Sequence, residues 1–130
     1  AISLYEAVDS DQVHRVRREL AFLKIETEDF ATAHAHLESL VEILERQGDF
    51  GQLSMAMVGL LPCLAYEQSW GRLQARLAQA RDLLEMTGRR HPDIVMALSR
   101  AAELAEQGGQ RELSQELHRL AKPHSFVHGA

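Results

Sequence analysis

The chain has 130 residues, 19 acidic against 14 basic side chains, a net charge of −5, 45% apolar residues and 5% aromatic ones. That length suits one domain able to bury roughly two thirds of its unfolded surface. The apolar share excludes a disordered chain, and no apolar run approaches the ~20 residues of a membrane-spanning helix.

The single cysteine, Cys63, excludes an internal disulfide framework. Few aromatics and only three prolines speak against a β-sandwich, whose strands favour aromatic and β-branched residues. Residues 1–65 carry 11 acidic and 5 basic side chains, and residues 66–130 carry 8 and 9. Neither half has the basic excess that phosphate neutralisation needs, so no nucleic-acid partner is expected. The clusters Arg15, Arg17, Arg18 and Arg89, Arg90, His91 read as solvated faces or helix ends. Residues 1–8 lack the features of a signal peptide, and the first residue is Ala1, so a piece of a longer or processed chain in a reducing, cytoplasmic setting is expected.

In chain order, residues 1–8 read as the end of a preceding helix. Asp9, followed three residues later by Gln12, predicts a new start, and Val13, Val16, Leu20 and Leu23 give the apolar period of a helix over 10–28. Ala33, Leu37, Leu40 and Leu44 give a second over 31–47, ended by Gly48. Asp49 and Gln52 repeat the capping pattern and start a third over 50–68, in which Gly59 and Pro62 predict a kink. Leu73, Leu77, Ala80 and Leu84 give a fourth over 70–87, ended by Gly88. His91–Pro92 starts a fifth over 92–107, and Leu113, Leu117 and Leu120 place a sixth over 110–121 after Gly108–Gly109. Short connections make sequential helices antiparallel hairpins, 10–47, 50–87 and 92–121, in a repeat domain over 9–121. Residues 122–130 read as a tail that folds back through Phe126 and Val127.

The hairpins are self-similar at an offset of 40 residues. Phe30, Trp70 and Gln110 fall in register, as do Ala33, Leu73 and Leu113, then Leu37, Leu77 and Leu117, then Leu40, Ala80 and Leu120. In the first helices Ala21, Leu61 and Ala101 align, with Val16, Ala56 and Met96. One hairpin cannot bury its apolar face alone, so equivalent hairpins stack.

On Leu20–Ala21, Asp29–Phe30, Ala33, Leu37 and Leu40, and again on Leu60–Leu61, Ser69–Trp70, Leu73, Leu77 and Ala80, the chain resembles the tetratricopeptide repeat family. The resemblance covers about residues 14–121. Lys24 and Arg100 stand where the family has apolar residues, and the period exceeds its usual 34. It implies an all-α fold, a right-handed α-α superhelix (solenoid) of about three antiparallel hairpins. In that family the first helix of each pair lines a concave face. Carried over by position, this implies a partner groove of Arg15, Arg18, Phe22 and Ile25, then Met55, Val58, Pro62 and Ala65, then Val95, Leu98, Ala102 and Ala105. Two readings of those apolar positions stand: an exposed groove, or packing on neighbouring repeats missing from this fragment or on the tail. The chain has no Asn, so the family's asparagine-and-lysine clamp for peptide C-termini is not expected in its usual form. An apolar or helical protein segment fits the groove better.

Other chemistry finds little support. His34 and His36 are two apart on a helix and point to different faces, and His124 and His128 lie in the tail. With one cysteine and no HExxH, no metal site is expected. No nucleophile elbow, P-loop or dinucleotide glycine pattern occurs, so no catalytic residue and no cofactor are expected. Cys63 reads as a packed apolar thiol. Phe30 and Trp70 read as inter-helix anchors. The sequence thus predicts a non-enzymatic protein–protein interaction module, a repeat fragment of a larger protein presenting an apolar concave groove. Its partner is a protein or peptide, with self-association through the apolar ends of the stack, and with neither nucleic acid nor membrane. The alternative is an effector-sensing or oligomerisation segment of a large bacterial transcription regulator or signalling kinase.

Overall fold

A computed structural model describes the backbone of residues 3–124 and the side chains of residues 12–123. Among the described residues six α-helices follow one another: α1 Ser3–Glu26, α2 Phe30–Gln47, α3 Phe50–Tyr66, α4 Trp70–Thr87, α5 Pro92–Gln107 and α6 Arg111–Ala121, with a short 3-10 turn at Lys122–His124. No strand occurs among the described residues, so the fold is all-α. No described helix is long and apolar enough to cross a membrane. The expected fold-back through Phe126 and Val127 lies outside the described residues.

Most starts and stops follow the sequence. Asp49 caps α3 by accepting from the Gln52 N–H at 3.2 Å, and His91 caps α5 through the Asp93 N–H at 3.0 Å, with Pro92 at the first helical position. Gly48 and Gly88 end α2 and α4 in the left-handed region, at φ 69° and 63°. One expected break is absent. Helix α1 runs unbroken from Ser3 to Glu26, because no glycine or proline precedes Gly48 and a capping pattern alone does not interrupt a helix. Helix α3 likewise continues through Pro62 to Tyr66.

The three hairpin tips share one turn. Asp29, Ser69 and Gln110 each donate their N–H to the carbonyl five residues back, on Lys24, Leu64 and Ala105. In each tip the preceding residue is left-handed: Glu28 at φ 65°, Gln68 at 61° and Gly109 at 81°. The spacing is 40 and then 41 residues, so Arg111 rather than Gln110 occupies the place of Phe30 and Trp70. This turn also shortens α1 and α3 relative to expectation. Neither Glu28 nor Gln68 is a stop signal in sequence, yet each closes its helix two residues early. A left-handed side-chain residue costs about 1–2 kcal/mol, which glycine avoids. Gln68→Gly is therefore expected to stabilise the protein by about 1 kcal/mol and Gly109→Ala to destabilise it by a similar amount, both read as opposite shifts in thermal midpoint.

Each tip aromatic locks onto the next hairpin. The Phe30 ring stacks on Tyr66 at the end of α3, with centroids 4.8 Å apart. Trp70 lies on Gly108 at the end of α5, where an added Cβ would stand 2.5 Å from the indole Cζ2. The backbone φ of Gly108 is an ordinary −85°, so the missing side chain, not the conformation, is what the indole requires. Outer helices are tied by ion pairs, Glu38 of α2 with Arg76 of α4 at 3.5 Å and Arg81 of α4 with Glu116 of α6. Such exposed pairs are worth about 0–1 kcal/mol each and set register more than stability.

Helix α3 is the centre. It packs against α1, α2, α4 and α5, and every residue from Leu53 to Ala65 is buried. Arg18 of α1 bonds Gln52, and Phe22 of α1 lies against Gly59, so α1 and α3 run in the same direction. Glu28 pairs with Arg100 of α5 at 3.8 Å. The inner helices α1, α3 and α5 thus meet one another, with α2, α4 and α6 as their hairpin mates.

Candidate functional site

The meeting of α1, α3 and α5 decides the fate of the expected groove. Phe22, Ile25, Met55, Val58, Pro62, Ala65, Leu98, Ala102 and Ala105 are all buried, and so is Arg18. Val95 is half-buried, and only Arg15 is exposed. The structure does bring these positions together, but as the interior of the domain. Apolar side chains of the three facing helices fill the space between them. The groove expectation is corrected on this point: the apolar positions pack within the chain's own helices rather than lining an open concavity.

Arg18 is the polar member of that interior. It is 4% exposed, and its Nη1 donates to the Gln52 side-chain oxygen at 2.5 Å. Its Nε is buried without a hydrogen-bond partner among the described residues. Burial, and then the neighbouring Arg89 charge, push its pKa below the usual guanidinium value, while Glu19 and Asp93 pull the other way. Arg89 reaches this spot because Gly51, in the first turn of α3, has no side chain; a Cβ there would stand 3.0 Å from Arg89 Nη1.

Cys63 is fully buried, and its thiol lies 3.6 Å from the Gly59 carbonyl. Burial, and then the Glu67 carboxylate, push its pKa from 9.0 up to about 12. Between those values the folded thiol keeps a proton that the unfolded one has lost. Its contribution to stability is present below pH 9.0 and disappears as pH rises towards 12. Urea midpoints should fall across that window, by at most about 1.4 kcal/mol per pH unit, and Cys63→Ala should remove this component. The histidines divide as their spacing predicts: His34 turns to Glu67 and Glu38, and His36 to α1. No group of three His, Cys, Asp or Glu side chains that could hold a metal ion occurs among the described residues.

What remains open to solvent lies on α1. Val13, Val16, Leu20 and Leu23, expected to face the core, are 50, 62, 43 and 53% exposed. They form one stripe at spacings of three, four and three. The opposite face of the same helix, Arg18, Ala21, Phe22 and Ile25, is buried. Helix α1 is apolar on two sides, and periodicity alone does not say which side meets the domain. The sequence had therefore assigned its two faces the wrong way round. The stripe borders an open cleft of about 530 Å³ lined by Gln12, Val13, Val16, Arg17, Leu20 and His36.

The opposite end of the stack differs. The exposed residues of α6 are Arg111, Glu112, Gln115, His118 and Arg119, a polar surface suited to water. Among the described residues, the α1 end presents apolar side chains in a row and the α6 helix does not. No protein-family model, curated protein or solved structure matches this chain.

Proposed function

We propose that this chain is a non-enzymatic protein–protein interaction module of stacked, tetratricopeptide-like hairpins, and that it binds through the outer face of α1 rather than through an inner groove. The observation that carries the reading is the stripe Val13, Val16, Leu20 and Leu23, half or more exposed at three of its four positions. A helix that turns such a row to water leaves its apolar area uncompensated, and rows of this kind mark contact sites. The hairpins hold α1 rigid from behind, so the stripe is displayed without an ordering cost on this side of the complex.

The ligand chemistry follows from the stack itself. Forty residues on, the same positions of α3 are Leu53, Ala56, Leu60 and Cys63, and all four are buried in a helix that packs on α2. An amphipathic helix is the shape that covers such a row. A cytoplasmic setting fits the lone reduced thiol of Cys63. The test is a synthetic peptide of residues 29–48, the segment spanning α2, titrated into the isotope-labelled protein. Saturable amide shifts confined to α1, abolished by Val16→Asp with Leu20→Asp, are expected. Absence of shifts up to about 1 mM peptide in a chain that also stays monomeric, or shifts indifferent to the double substitution, overturns the reading.

A further inference from the structure

The flanks of the α1 stripe say more than the stripe does. Spacings of three, four and three place Val13 and Leu20 at the a positions of a heptad and Val16 and Leu23 at the d positions. The adjoining e positions are then Arg17 and Lys24, both basic, and the g positions are Gln12, Glu19 and Glu26. Gln12, Glu19 and Glu26 are exposed, and Arg17 and Lys24 are half-exposed.

We propose that the occupant of this face is a second copy of the chain, its α1 lying parallel to the first in a short two-stranded coiled coil. The inference rests on the reading of α1 as the binding face. In a parallel pair each g position faces the e position five residues on in the other helix. Glu19 then meets the partner's Lys24, Gln12 meets the partner's Arg17, and two-fold symmetry makes each contact twice. An antiparallel pair would set e against e and g against g, basic on basic and acidic on acidic. Charge therefore selects both the self-pairing and its direction.

The comparison with α3 separates this from further stacking. Where α1 has Arg17, Glu19 and Lys24 beside its stripe, α3 has Met57, Gly59 and Leu64, all buried. A face made to be enclosed by more hairpins carries apolar flanks; the α1 face carries charges that need water at their tips. The buried residues Arg18 and Ile25 stand at the f positions, opposite the stripe, so the bodies of a parallel pair extend outward from the coiled coil. Two heptads bury little area, and the dimer is expected to be weak, with a dissociation constant of about 10–100 µM.

Sedimentation equilibrium of the whole chain from about 1 to 500 µM, at low salt, tests this. A concentration-dependent rise towards twice 14.6 kDa is expected. Glu19→Lys and Lys24→Glu should each weaken dimerisation by about fivefold or more, and the double variant should return it to within about twofold of the starting protein. Both substitutions lie off the buried face of α1, and helix content by circular dichroism verifies that each variant is folded. A monomer at every concentration, or single variants that the double does not rescue, overturns the proposal. If the chain stays monomeric while the 29–48 peptide still binds α1, the self-pairing fails and the reading of the face stands; loss of both removes both.

Discussion

Leucine in place of Gly59 is expected to leave the chain largely unfolded. Gly59 lies midway along α3, fully enclosed, where α1 and α2 both press on the helix. A Cβ at this position would stand 2.9 Å from Leu37 Cδ1 and 3.1 Å from Phe22 Cζ. Alanine brings two opposed effects: about 1 kcal/mol gained in helix propensity and about 1–3 kcal/mol lost to overpacking. The ends of Leu37 and Phe22 can yield a few tenths of an ångström, so Gly59→Ala should change stability by no more than about 2 kcal/mol. Leucine adds three further carbons to a space already filled by Phe22 and Leu37, and both neighbours must leave their positions. The cost should exceed about 4 kcal/mol, comparable with the 5–15 kcal/mol that holds a typical domain together. Far-ultraviolet circular dichroism during urea titration would show this as loss of the cooperative transition.

The second large effect concerns the buried guanidinium. Gln52→Leu removes the side-chain oxygen that accepts from Arg18 Nη1, and Arg18 Nε already has no partner among the described residues. Stranding a buried charged donor costs more than its hydrogen bond contributes, and a loss of about 2–3 kcal/mol is expected. Arg18→Met should behave oppositely. It removes the desolvated charge, ends the repulsion with Arg89 and keeps most of the apolar stem. A neutral result, or a gain of about 1 kcal/mol, is expected. Urea midpoints of the two single variants decide the sign, and the double variant should resemble Arg18→Met alone, since Gln52 matters only through Arg18.

The helices were legible because their signals are local. Asp49, His91–Pro92, Gly48 and Gly88 act on the backbone beside them, and each does in the structure what its chemistry dictates. The tips at Glu28 and Gln68 were not legible, because nothing in a glutamate or a glutamine announces a left-handed residue; the hairpin imposes it. The inner face was misread for another reason. Periodicity identifies apolar faces but not their neighbours. Helix α1 carries two such faces, and helix α3 is buried on all sides, so Met55, Val58, Pro62 and Ala65 gave no hint of which way was in. The decisive fact is that α1, α3 and α5 touch, with Phe22 of α1 entering at Gly59 of α3.

The central place of α3 also governs how the molecule comes apart. In an extended array each hairpin can melt while its neighbours persist. Here the two flanking hairpins share a single helix as their common wall, so neither can detach without exposing it. Calorimetry would register one heat-absorption peak, and the slowest-exchanging amides would lie between Leu53 and Ala65, released only when the whole assembly opens.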